Sequence, residues 1–146
     1  MQLSSSLHRG SVITANQANP AVQTNWIYTF PAQFNYEVQF VRFTLTTDAN
    51  AANRNIGLEL RDPAGAVLWR GPHSFVHTAS LAIIYYASQA SPAGLILGGN
   101  AIPLVLPPHN LIAPLSTIRT YSVALQAGDQ FSLIDLGLIR AANPLA

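Results

Sequence analysis

The stretch Ile56-Gly57-Leu58-Glu59-Leu60-Arg61-Asp62-Pro63-Ala64-Gly65-Ala66-Val67-Leu68-Trp69 decides the fold class. Ile56, Leu58 and Leu60 alternate with Gly57, Glu59 and Arg61, the period of two by which a strand sends successive side chains to opposite faces. The alternation predicts a half-buried strand. Asp62-Pro63-Ala64-Gly65 then places Asp at the first turn position, Pro at the second and Gly at the fourth, the pattern of a type I turn. The turn leads into Val67–Trp69, so the whole stretch predicts a β-hairpin.

The same period extends in both directions. Asn25 to Phe30 reads as a strand with Trp26, Tyr28 and Phe30 on one face, and Tyr36 to Thr47 as a longer one with Val41, Phe43 and Leu45 together. Phe75 to Ala87 reads as one long strand. Ser91-Pro92-Ala93-Gly94 and Gly98-Gly99-Asn100 punctuate a loop-rich section, and Ile102 to Leu106 is a short strand stopped by Pro107-Pro108. Thr117 to Gln126 alternates again, and Ala127-Gly128-Asp129 turns the chain into a last strand, Phe131 to Ile139. No segment keeps a helical period over three turns. About eight short strands separated by turns predict an all-β antiparallel sandwich, jelly roll or small barrel over residues 24–146. Residues 1–23, rich in Ser, Asn, Gln and Ala around Val12–Ile13, predict an extended N-terminal arm with one edge strand. An arm of this composition is disordered in isolation, and neighbouring subunits are what would hold it.

Charge separates the classes of function. The 146 residues suit one domain and include no cysteine, so neither a disulfide framework nor a thiolate metal site is available. Only 9% of residues are Asp, Glu, Lys or Arg, against about 25% in an ordinary soluble domain. A folded monomer of this mass exposes about 7,300 Å², so each full charge serves roughly 560 Å². That is comparable with the largest apolar patch of a typical monomer, about 300–600 Å². Either Asn, Gln, Ser and Thr keep the surface wet, or partner chains cover much of it; the composition favours covering. All seven basic residues are Arg. A GC-rich genome would produce this, and Arg also suits interfaces through its rigid, bidentate fork. The net charge of +1, with Arg scattered from Arg9 to Arg140, gives no footprint for nucleic acid. The start, Met1 to Gly10, lacks the pattern of a secretion signal. The longest apolar run, Leu81 to Ala87, is far short of the ~20 residues that span a bilayer.

Catalytic patterns are missing. His73 and His77 have the spacing of zinc ligands on a helix, but on a strand they stand about 13 Å apart. They read as two surface or interface histidines; His8 and His109 are isolated. Of the six carboxylates, Asp62 and Asp129 read as turn residues, Asp48 as the cap of the Ala-Asn loop that follows it, and Glu37 and Glu59 as a pair that strands could oppose. No nucleophile elbow, phosphate loop or dinucleotide turn occurs. The expectation is no enzyme, no cofactor and no metal. Trp26, Arg54, Trp69, Tyr85, Tyr86 and Arg119 are the candidate interface residues, because aromatic and Arg side chains anchor protein contacts. Arg54, after the Ala-Asn loop, is expected to fix that loop through carbonyls or a carboxylate. Trp69 or Tyr85-Tyr86 could instead stack on sugars, as in carbohydrate-binding sandwiches.

Val41-Arg42-Phe43-Thr44-Leu45-Thr46-Thr47-Asp48-Ala49-Asn50-Ala51-Ala52-Asn53-Arg54, its continuation through Leu58–Asp62, Gly65 and Val67–Trp69, and Leu125-Gln126-Ala127-Gly128-Asp129-Gln130-Phe131 together resemble small proteins of tailed bacteriophages. These are virion structural proteins, in particular capsid decoration (cement) subunits. The resemblance spans about Tyr28 to Leu138 and rests on structural patterns. It implies a sandwich or jelly-roll subunit, commonly a homotrimer, bound outside the capsid to the major capsid protein lattice. A tail, neck or fibre component and a carbohydrate-binding module are the alternatives. The Met1–Gln23 arm lies outside the resemblance.

Overall fold

The computed structural model describes residues 12–74, 76–89, 100–107 and 111–141. They form nine strands: β1 (Val12–Gln17), β2 (Ile27–Thr29), β3 (Asn35–Thr46), β4 (Asn55–Arg61), β5 (Val67–Arg70), β6 (Ala82–Ser88), β7 (Ala101–Pro103), β8 (Thr117–Val123) and β9 (Gln130–Ala141). No helix occurs among the described residues. The strands make two sheets, β1-β9-β3-β6-β7 and β2-β8-β4-β5, packed face to face as a β-sandwich. With β7 set aside, every connection crosses between the sheets except the β4–β5 hairpin. This winding, with four strands a side, is that of a jelly roll.

The hairpin forms as its sequence dictates. The Gly65 amide donates to the Asp62 carbonyl at 3.0 Å, and the Asp62 carboxylate accepts from the Ala66 amide at 2.8 Å. Gly65 sits at φ +89°, a conformation that only a residue without Cβ adopts cheaply. The core lies between the sheets. Val41, Phe43, Leu45, Leu136 and Leu138 face it from one side, and Ile56, Leu58, Leu60 and Ile118 from the other. Phe43 is its hub, stacked on Tyr85 at 5.2 Å and edge-on to Trp26 and Phe131 at 5.5 and 5.6 Å.

The edge strand expected in the arm is β1, which pairs with β9 from Val12↔Ile139 to Gln17↔Ile134. Residues 1–11, Phe75, the Ser91–Gly94 and Gly98-Gly99 loops, Pro108, His109 and residues 142–146 lie outside the described residues.

Four expectations need correction. The span from Phe75 to Ala87 is not one strand: a turn at Ala79–Ser80, with Ser80 at φ 55°, separates the isolated Arg54↔His77 bridge from β6. The short strand expected at Ile102–Leu106 lies instead at Ala101–Pro103, as β7, and runs parallel to β6 and not antiparallel. Glu37 and Glu59 do not oppose each other, because β3 and β4 belong to different sheets. Finally, β4 is buried on both faces from Ile56 to Leu60. Tyr121 lies against Gly57, and Arg61 and Arg70 close over Glu59.

The long β3–β9 ladder carries two bulges. Val38↔Leu138 is followed by Phe40↔Gly137, which makes Gln39 the extra residue on β3. Arg42↔Asp135 is followed by Thr44↔Ser132, which puts an extra residue on β9. The second irregularity includes Leu133, at φ 50° and 68% exposed. The two insertions cancel, so only the segment Phe40–Arg42 against Asp135–Gly137 is shifted in register. A bulge reverses which alternate residues face inward. Inward positions accordingly change from Tyr36 and Val38 to Val41, Phe43 and Leu45.

Candidate interaction surfaces

Three of the six candidate interface residues lie inside the sandwich. Trp26 is buried against Phe43, and its indole N–H has no hydrogen-bond partner among the described residues. Tyr85 is buried beneath the same ring. Arg54 is fully buried. As an interface role needs an accessible side chain, these three are fold residues in the isolated chain, and the surface roles fall to others.

Arg54 does what its place in the sequence predicts. Its Nε and Nη2 donate to the two carboxylate oxygens of Asp129 at 2.8 and 3.0 Å, and Nη2 also to Asp48 at 2.7 Å. Nη1 donates to the carbonyls of Asn50 and Ala52 at 2.9 and 3.0 Å. These bonds match the five N–H donors of a guanidinium. Asp129 further accepts from the amides of Gln126 and Asp48, and Asp48 from those of Asn50 and Gly128. The loop after β3 and the turn before β9 are thereby tied into one unit. Burial pushes the Asp129 carboxyl up, but hydrogen bonds from Arg54 and the two amides, with the Arg54 charge, outweigh it and hold it below the ordinary carboxylate range.

His77 adjoins this unit through reciprocal backbone bonds with Arg54. It is buried, which corrects its reading as a surface or interface residue. Its Nδ1 lies 3.1 Å from the Tyr85 hydroxyl and its Nε2 3.3 Å from the Leu81 carbonyl. A neutral ring protonated on Nε2 satisfies both contacts. Burial pushes the Tyr85 hydroxyl up to about 12. Burial also lowers the His77 pKa below 6.5; the Leu81 carbonyl and Asp129 oppose this, and the Arg54 charge adds to it. Below that ordinary value the unfolded chain takes up a proton that the folded chain refuses, so stability falls as pH drops. The carboxylates lowered by their partners, Asp129 and Glu59, lose their contribution only below their ordinary values of 3.8 and 4.5. Urea midpoints are therefore expected to fall between pH 7.5 and 5.5, and His77→Gln is expected to flatten that slope. Equal slopes in both proteins would remove His77 from the account.

The outer face of the four-stranded sheet carries Arg119, while Trp69, opposite Leu60, packs against the core from the inner side. Glu59, fully buried, forms ion pairs with Arg61 and Arg70, with Arg70 Nε at 2.6 Å. Burial pushes its carboxyl up, and hydrogen bonds and charge from the two Arg more than reverse this. Arg70 lies 4.7 Å over the Tyr121 ring, and His73 packs on the same ring at 4.5 Å. Arg119 stands opposite Glu59 in register, but its Nε donates to the Thr120 carbonyl at 3.3 Å. Trp69 is half-buried on the edge strand β5, paired with Leu60. Its neighbour Leu68 is 58% exposed.

Tyr86 belongs to the opposite face, on the five-stranded sheet. It lines a groove of about 410 Å³ together with Thr14, Phe40, Arg42 and Asp135. These residues come from four adjacent strands, β1, β9, β3 and β6. Phe40 lies on the backbone of Gly137, where a Cβ would collide with its ring. Arg42 Nη2 donates to Asp135 Oδ2 at 2.7 Å. Sequence reasoning passed over Phe40, Arg42, Asp135 and Gly137. The available signal was Phe40 itself, a large apolar residue at the outward parity set by Val41, Phe43 and Leu45.

No protein family matches the chain, and no curated protein is similar to it.

Proposed function

We propose that the chain is a structural subunit of a virion, a capsid decoration protein that acts by packing against its own copies and against the major capsid protein lattice. The observation that carries this reading is an imbalance at the surface. Of the thirteen charged residues, Arg54, Glu59 and Asp129 are buried, which leaves at most ten for solvent. Twelve Val, Leu and Ile side chains among the described residues are 43–68% exposed. Single exposed aliphatics are ordinary; outnumbering the available charges is not, and it suits a surface that partners cover. The jelly-roll winding adds support, since viral capsid proteins use it, although lectins do as well. The resemblance of the Val41–Arg54 and Leu125–Phe131 segments to phage proteins supplies the virion context.

Light-scattering mass of the purified chain tests the first step, and sedimentation with capsids lacking decoration tests the second. A trimer is expected, at three times 15.7 kDa, that saturates the particles. A stable monomer at tens of micromolar that stays in the supernatant would overturn the proposal.

A further inference from the structure

We propose that the groove over Gly137, on the outer face of the five-stranded sheet, binds a sugar ring of a neutral glycan. Its build supports a ligand site. The two bulges of the β3–β9 ladder bracket the Phe40–Arg42 segment that forms it, and bulges commonly re-aim side chains beside functional sites. Gly137 lets the Phe40 ring lie on the sheet as a floor. The volume, about 410 Å³, falls in the range of small-ligand clefts. Three strand spacings separate Thr14 from Tyr86, about 14 Å, which leaves room for a short oligosaccharide.

The groove's chemistry selects among occupants. Arg42 and Asp135 neutralise one another, so the groove offers no net charge to an anion or a cation. Each keeps capacity in reserve: Arg42 bonds Asp135 through Nη2, leaving Nε and Nη1, and Asp135 accepts through Oδ2, leaving Oδ1 with no partner among the described residues. A donor and an acceptor held side by side match the adjacent hydroxyls of a sugar, which both give and receive hydrogen bonds. Phe40 and the Tyr86 ring supply apolar surface for the C–H face of a pyranose, and the Tyr86 and Thr14 hydroxyls add polar contacts at the rim. An extended peptide is a poorer occupant. The floor strands β9, β3 and β6 are each paired on both sides, so backbone groups that could match a peptide lie along the outer edge of β1, beyond Thr14, and not in the floor. The inference is independent of the assembly proposal, because it concerns one chain.

Binding of the labelled protein to immobilised oligosaccharides of glucose, galactose, mannose and N-acetylglucosamine tests it, with methyl glycosides as competitors. At least one member of the panel is expected to bind, and Arg42→Ala and Tyr86→Ala each to weaken that binding tenfold or more. Leu68→Ser, on the other sheet, is expected to leave it unchanged. Arg42 is 55% exposed, so its truncation spares the core, and circular dichroism checks that each variant folds. No binding anywhere on the panel at millimolar competitor concentrations, or equal binding by the groove variants, overturns the proposal. So does a light-scattering mass that falls in Arg42→Ala with no glycan bound, which would assign the groove to contact between copies.

Discussion

Arg54→Ala is expected to destabilise the protein by about 3–5 kcal/mol, the usual consequence of removing one partner of a buried ion pair. The loss has little to do with the pair's net worth, which desolvation of both ions largely offsets. It comes from what stays behind. Asp129 would remain buried with only the amides of Gln126 and Asp48 to hold its charge. The carbonyls of Asn50 and Ala52 would lose their donor as well. Against a typical total of about 5–15 kcal/mol, this is a large share, and it corresponds to a drop in Tm of roughly 10–15 °C. Arg54→Lys should fall between the two, because an ammonium keeps the charge but not the planar fork. Urea unfolding monitored by tryptophan fluorescence measures both. A change below about 1 kcal/mol in Arg54→Ala would mean that the loop holds without the guanidinium.

That loop was readable in the sequence because its chemistry is local: an Asp, a run of Ala and Asn, then an Arg with no other obvious duty. Asp129 was legible only as a turn residue. Its second role, as the counter-ion of a residue 75 positions earlier, depends on how the sandwich closes. The hairpin at Asp62–Gly65 was legible for the same local reason, since the turn geometry needs those residue types in that order. Strand β6 was over-extended because Val76 and His77 continue the β-like composition, and nothing at Ala79–Ser80 marks the turn. There Ser80 adopts a left-handed conformation that its sequence does not advertise.

The groove was missed for a different reason. Periodicity assigns faces only while the period holds, and two compensating bulges shift the register of a few residues and then restore it. Composition, by contrast, needs no register: it showed that charge is sparse, and burial of Arg54, Glu59 and Asp129 in ion pairs leaves still less of it for the surface. The aromatic candidates divided accordingly. Trp26 and Tyr85 serve the core, while Tyr86, one residue on, points to the other side of the sheet because strand residues alternate.

Phe43→Ala is expected to cost about 3–5 kcal/mol, as for other large aromatic truncations in a closed core. Phe43 is fully buried at the point where both sheets meet, and three rings use it as a neighbour: Trp26, Tyr85 and Phe131. Each ring pair contributes about 0.5–1.5 kcal/mol beyond area burial, and strands fixed by ladders on both sides cannot collapse to fill the void. Phe43→Leu keeps most of the volume and should cost much less, so the pair of variants separates cavity from composition. The effect should also travel. Tyr85 is stacked on Phe43 and reaches His77, whose backbone pairs with Arg54. Combining Phe43→Leu with Arg54→Lys should therefore depart from additivity by about 0.5 kcal/mol or more. Strict additivity in urea unfolding would separate the aromatic core energetically from the Arg54 network.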